Sequence, residues 1–238
     1  MMQFFDAETT RRHLGAAKLI EALRQMFREG CEVPLRHTHS VGEGTLLLMP
    51  AWRAGQRLGI KTVTIFPGHS ARGQPGLHST YLPFDAATGV PLAQLDGDQT
   101  TSRRTAAASA LAASFLARAD ASRSLIVGSG SFTPAMCEAD ATCFQRSPVC
   151  VDTLEALAKS GDVLSAVEAE AFQPDQLAGT LAELCRGTRP GRSSAAQITL
   201  FKAVGSALED LAAAELVFDG VQADSLSLAP ATLCDRAP

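Results

Sequence analysis

Lysine is scarce in this chain, and Lys61, one of four, stands inside a run that reads as a β-strand, Ile60–Phe66. Two-residue alternation puts Lys61 on the face of Val63 and Ile65, with Thr62 and Thr64 on the other. An ammonium on an apolar face is costly unless its stem carries it to water or it meets an anion. Lys61 is therefore either an edge residue with a solvated head or a site residue. A second cation, Arg104 of Arg103-Arg104-Thr105, shares a helical stripe with Ala107, Ala108 and Leu111. Placed near a helix start, its guanidinium suits a carboxylate or phosphate, and otherwise it is a surface arginine beside Asp98. In Arg36-His37-Thr38-His39, two histidines two apart in extended chain point the same way. No third ligand accompanies them, so solvated histidines fit better than a metal. Leu125-Ile126-Val127-Gly128-Ser129-Gly130 is a strand running into G-x-G, the opening of a dinucleotide fingerprint. The chain continues Ser131-Phe132-Thr133-Pro134 where a third small residue and a helix start are needed, so this is half a motif.

The elements that must position these residues are legible in outline. Asp6 caps a short helical turn ending near Leu14, and a helix follows over Ala16–Glu29, stopped by Gly30. Strands are predicted at Thr45–Met49, Ile60–Phe66, Ser79–Phe84 and Val90–Leu95, the last two joined by a hairpin signal at Asp85–Gly89. An alanine-rich helix runs over Thr100–Arg118. Beyond it the pattern gives strands at Ser124–Val127 and Val149–Val151, helices at Thr153–Lys159 and Asp175–Cys185, a strand at Gln197–Phe201 and a helix from Val204 to about Val217. The chain beyond Asp219 reads as frayed.

Composition narrows the classes. A chain of 238 residues, 46% hydrophobic, can bury a core, and a net charge of −4 argues against nucleic acid. The apolar runs are too short to span a membrane, and no basic region precedes Phe4-Phe5 as a signal peptide requires. The six cysteines show no C-x-x-C spacing and read as small core residues of a cytoplasmic protein.

Read in order, a set of stretches resembles the ornithine cyclodeaminase/mu-crystallin family. They are Leu47–Trp52, Gly59–Gly68, Phe84–Ala93, Ser102–Ser109, Gly130–Met136 and Gln197–Gly205 with Glu209-Asp210. The resemblance implies an α+β substrate and dimerisation domain with an inserted Rossmann domain. It also implies an NAD(P)-dependent oxidoreductase acting on an amino or imino acid, as ketimine reductases and alanine dehydrogenases do, and a homodimer. Carried over residue by residue, Arg36 and Arg104 would hold the substrate carboxylate. Lys61, the catalytic residue and also a substrate contact, would sit by the reacting nitrogen or polarise the intermediate. Thr105, Gly128, Gly130 and Val204 would face the cofactor.

The departures from the family pattern matter as much. A Rossmann domain needs on the order of 100 residues or more, yet here its opening motif joins directly to a motif that lies near that domain's end. The expected organisation is residues 1–124 plus 197–238 as the α+β domain, with 125–196 a truncated Rossmann-like insert, as if an internal deletion joined two similar sites. Cyclodeaminases carry an Asp where this chain has Phe132, and a basic residue where it has Met136. Phe132 can neither give nor take a proton, which points to the reductase branch. The implied function is an NAD(P)-type amino- or imino-acid oxidoreductase impaired by loss of cofactor-domain structure. The alternative is a non-catalytic dimeric remnant that binds a small amino or carboxylic acid.

Overall fold

Alternating apolar residues between 44 and 85 build the main sheet. The computed structural model describes residues 2–122 and 133–227. In chain order the elements begin with β1 (Gln3–Phe5), α1 (Ala7–His13), α2 (Ala16–Glu29), β2 (His37–Val41), β3 (Gly44–Arg53) and β4 (Arg57–Ile65). There follow β5 (Leu77–Asp85), β6 (Ala93–Asp96), α3 (Gly97–Leu116), α4 (Ala141–Gln145), β7 (Val149–Val151), α5 (Ala156–Lys159) and α6 (Gly161–Glu168). The last are β8 (Gly179–Thr180), α7 (Leu181–Arg186), β9 (Leu200–Lys202) and α8 (Ala207–Ser227).

Six strands form a mixed sheet in the order β1-β6-β5-β4-β3-β2, parallel only between β1 and β6. Leu47, Met49, Ala51, Val63 and Tyr81 are buried on one face, which α3 and α8 cover. Because α8 lies between the sheet and α2, it is apolar on nearly every side, with Leu211, Ala213, Ala214 and Val217 fully enclosed. The opposite sheet face carries Leu46, Leu48, Pro50, Trp52, Ile60, Leu82 and Phe84, which are only partly covered. Gly59 has no side chain for a packing reason: a Cβ there would lie 1.9 Å from the Tyr81 hydroxyl oxygen.

A second, smaller sheet is parallel, in the order β8-β7-β9. It packs Val149 with Phe144, Val163 and Phe172 in a separate apolar cluster. The chain is thus α/β, a mixed sheet with helices on one face beside a short parallel sheet. β9 pairs with β7, although it follows the expected division at residue 197.

Several expectations need correction. Residues 3–5, expected before a helical turn, form a strand because pairing with β6 satisfies their backbone and buries Phe5. Proline does not end β3 at position 50; the strand continues to Arg53. The stretch 37–41 is a strand of the sheet, although all five residues are exposed and it carries no apolar alternation. Only 156–159 of the expected 153–159 helix forms, and 161–168 adds a helix not foreseen. The segment 175–185 splits into a turn, β8 and α7, because Thr180 and Glu183 form a reciprocal capping box that starts a helix at Leu181. α8 begins at Ala207 and runs to Ser227, so the chain from Asp219 to Ser227 is helical, with Val221 packed on the core. The strand expected at 124–127 lies outside the described residues.

Strands of three, two and three residues give the small sheet few ladder bonds, although β7 itself is buried. Amides of 149–151 and 200–202 should therefore exchange faster than those of 46–51 and 59–63. Mass-resolved hydrogen exchange measures this directly, and equal protection would contradict it.

Candidate functional site

Lys61 is not at an edge. β4 is a central strand, and Lys61 pairs with Met49 on one side and Tyr81 on the other. Its side chain is 3% exposed, and its Nζ donates to both oxygens of Asp210, at 3.1 and 3.3 Å. Arg104 is not at a helix start either. α3 begins at Gly97, capped by the Asp96 carboxylate, and this puts Arg104 inside the helix and facing the core. The Asp98 beside which a surface arginine was imagined instead accepts from Ser79. Arg104 Nε donates to Asp210 Oδ1 at 3.0 Å, and its Nη1 donates to Glu209 Oε2 at 2.6 Å. Two cations and two carboxylates thus form one buried cluster between β4, α3 and the first turn of α8. Each compensates another, the condition for burying charge at all.

The cluster borders a cavity of about 230 Å³. Lys61, Arg104, Thr105, Arg36, Val204 and Glu209 line it, with Met49, Val63 and Ala108 supplying apolar wall. Arg36 reaches it from the chain before β2. Its guanidinium donates to Glu155 Oε2 at 2.9 Å and to the Gly205 carbonyl at 2.8 Å. Asp152 braces the opposite side: its carboxylate accepts from the backbone N–H groups of Thr153, Val204 and Gly205, at 2.7, 2.9 and 2.6 Å. Gly205 has φ +77°, and a Cβ there would come within 2.7 Å of Arg104 Nη1. Only glycine lets the loop pass so close to the guanidinium.

Burial sets the protonation of this cluster. It lowers the Lys61 ammonium to about 8, with Asp210 pulling the other way. It pushes Glu209 up to about 7 against the nearby Arg104 charge, and Asp152 up to about 6 against its three backbone N–H bonds. Burial acts against the Arg104 charge too, but Asp210 and Glu209 more than offset it, so Arg104 stays protonated. Two polar atoms of the cavity-lining residues, Glu209 Oε1 and Thr101 Oγ1, are buried with no hydrogen-bond partner among the described residues. An orphaned buried acceptor costs about 1–3 kcal/mol.

Of the residues singled out from sequence, Arg36, Lys61, Arg104, Thr105 and Val204 meet at this one cavity. Gly128 and Gly130 lie outside the described residues. His37 and His39 are exposed on β2, and no group of three metal-ligating side chains occurs among the described residues. Cys150 and Cys185 are buried, whereas Cys137 and Cys143 are exposed and do not act as core residues. No helix among the described residues is long and apolar enough to cross a membrane. The anions Asp152, Glu155, Glu209 and Asp210 had no assigned role. The signal available for two of them was an adjacent acid pair in an otherwise apolar helix.

A dinucleotide needs free backbone N–H groups for its pyrophosphate, at the carboxyl ends of parallel strands. Beyond β7 and β9 those groups, on Thr153, Val204 and Gly205, are already bound to the Asp152 carboxylate. Gly128 and Gly130, where the fingerprint falls, lie outside the described residues, and the N–H groups of Thr153, Val204 and Gly205 are not free for the pyrophosphate of NAD or NADP.

Fold and cavity together define an α/β protein with a buried, cation-lined pocket where a mixed sheet meets a short parallel one. The chain belongs to the ornithine cyclodeaminase/mu-crystallin family, whose sequence pattern matches residues 5–146 and again 133–225, so that 133–146 is matched twice. It is 33% identical to an uncharacterized protein of Schizosaccharomyces pombe, covering 91% of this chain and 96% of that one. That alignment runs over 318 positions but draws on 91% of only 238 residues, so about a hundred positions face gaps in this chain. It is 26% identical to the Delta(1)-pyrroline-2-carboxylate reductase of Colwellia psychrerythraea, over 92% of this chain and 99% of that one. Among solved structures, the fold matches the Delta(1)-pyrroline-2-carboxylate reductase of Thermococcus litoralis in complex with NADH and L-proline. The TM-score is 0.83 at 22% identity, over 94% of this chain and 98% of that one.

Asp210 is the shared partner of Lys61 and Arg104, so its loss leaves buried positive charge uncompensated. Asp210→Asn should destabilise the chain by about 3–5 kcal/mol, read as a lowered urea midpoint. A change below about 1 kcal/mol would mean that the cluster is not a buried ion network.

Proposed function

We propose that the chain is a shortened relative of the NAD(P)-dependent imine reductases, one that keeps the substrate cavity and has lost most of the cofactor domain. A small amino or imino acid binds in the cavity through its carboxylate, and hydride transfer is impaired. The observation that carries this reading is the convergence of Arg36, Lys61 and Arg104 on one cavity of amino-acid size. Arg36 and Arg104 offer guanidinium donors to the carboxylate, and Lys61 lies beside the ligand's reacting nitrogen. A ligand carboxylate replaces Glu155 at Arg36, the most exposed of the ion pairs at the cavity.

Support for a reduced cofactor domain comes from the gaps in the aligned relative, the double match over 133–146 and the short parallel sheet. NAD or NADP would add a hydride carrier where it binds. In this chain the N–H groups at the strand ends are committed to Asp152. A purely non-catalytic binding protein is the second reading, favoured by that same commitment. Thr105 and Val204, expected to face the cofactor, line this same cavity. The free cysteines fit a reducing, cytoplasmic setting.

Calorimetric titration tests the function. L-proline should bind with a dissociation constant at or below about 1 mM, roughly 4 kcal/mol, and Arg36→Gln should weaken it at least tenfold. NADH should give no saturable heat at millimolar concentration. Saturable NADH binding would restore a working oxidoreductase, and failure of L-proline and related imino acids to bind would remove the substrate site.

The partly covered sheet face, with Leu48, Trp52, Ile60 and Leu82, is the surface on which two copies would meet as a homodimer. Light scattering should give twice the chain mass, falling to one chain in Ile60→Glu. A monomeric parent would contradict this assignment.

A further inference from the structure

The cavity holds more than its cations. Glu209 is fully buried, and Arg104 occupies only its Oε2. The other oxygen, Oε1, has no partner among the described residues. One turn before Arg104 on α3, Thr101 also lines the cavity with a buried, unpartnered hydroxyl oxygen. Asp210, the neighbouring acid, cannot serve the same purpose because Lys61 and Arg104 both hold it. Buried polar atoms are almost always hydrogen-bonded in a finished structure. Both orphans belong to residues that line one cavity, and a ligand there supplies the missing partners once these side chains turn toward it.

We propose that Glu209, assisted by the Thr101 hydroxyl, binds the nitrogen of the amino or imino acid. This rests on the carboxylate reading of the same cavity and deepens it, by making the site one for nitrogen-bearing acids rather than for carboxylates in general. With a protonated amine, the ionised Glu209 carboxylate accepts the N–H. With a neutral imine, the Glu209 carboxylic acid gives up its proton: the O–H bond breaks, an N–H bond forms, and an iminium faces a carboxylate. Water returns the proton afterwards. The groups facing Glu209 are Arg104 from α3, Lys61 from β4, Asp152 from the end of β7 and Asp210 beside it on α8.

The test compares L-proline with cyclopentanecarboxylate, the same ring and carboxylate without the nitrogen, by calorimetry on the full chain. At pH 8 L-proline should bind at least tenfold more tightly. Burial holds Glu209 near 7, so it protonates as pH falls from 8 to 6, and the preference should shrink towards unity. Lys61, which titrates near 8 beside the ligand nitrogen, also alters the ratio over this range, so the pH course is read against Glu209→Gln, where only the Lys61 contribution remains. Glu209→Gln should bring the ratio to within twofold of one at every pH, and Thr101→Val should reduce it. If Glu209→Gln fails to fold, the ratio measured in Thr101→Val at pH 8 decides. Equal affinity for the two ligands at pH 8, a pH-independent preference, or a preference kept in Glu209→Gln each overturns the role of Glu209. If neither ligand binds the wild-type chain, the carboxylate reading fails and this assignment falls with it.

Discussion

A lysine ammonium buried on the inner face of a β-sheet cannot exist without a fixed anion, and here that anion is Asp210. The same carboxylate takes Arg104 Nε, so one side chain at the start of α8 compensates cations from a strand and from another helix. This constrains the remaining structure. α8 must cross the sheet with its first turn over β4, and α3 must run beside it with Arg104 turned inward. The apolar length of α8 then fills the space between the sheet and α2. Charge pairing fixes the register, and hydrophobic burial supplies the stabilisation.

The loop before α8 couples this cluster to the smaller sheet. Asp152, at the end of β7, holds Val204 and Gly205 by their N–H groups, while Arg36 holds the Gly205 carbonyl. Gly205 can then pass against Arg104 only because it lacks a side chain. The loop that follows β9, Ala203 to Gly205, thereby closes one wall of the cavity. Its strand-end donors, turned inward onto Asp152, serve that wall.

Much of this was legible in the sequence, and the reasons differ by residue. The helix over Ala16–Glu29 appears as written, because its apolar spacing and terminal Gly30 are local signals. Lys61 could be picked out because a lone cation among β-branched residues contradicts its surroundings. Whether it was central or at an edge depended on strand pairing, which is not local. Arg104 was found for a reason that failed: the helix starts earlier than expected, at the Asp96 cap, and the residue is interior. β2 escaped notice because an exposed edge strand needs no apolar alternation. Glu209 and Asp210 stood out only as part of the family pattern, and the cations that tertiary packing brings to them reveal their role. The Thr180–Glu183 capping box was readable and was missed in favour of a longer periodic stretch.

The most direct test of the account is a crystal structure of the full chain grown with saturating L-proline. The account predicts the ligand in the cavity bounded by β4, α3 and the 203–209 segment, with its carboxylate on Arg36 and Arg104 and Glu155 displaced from Arg36. An empty cavity with the Arg36–Glu155 pair intact, or proline bound elsewhere, would contradict it.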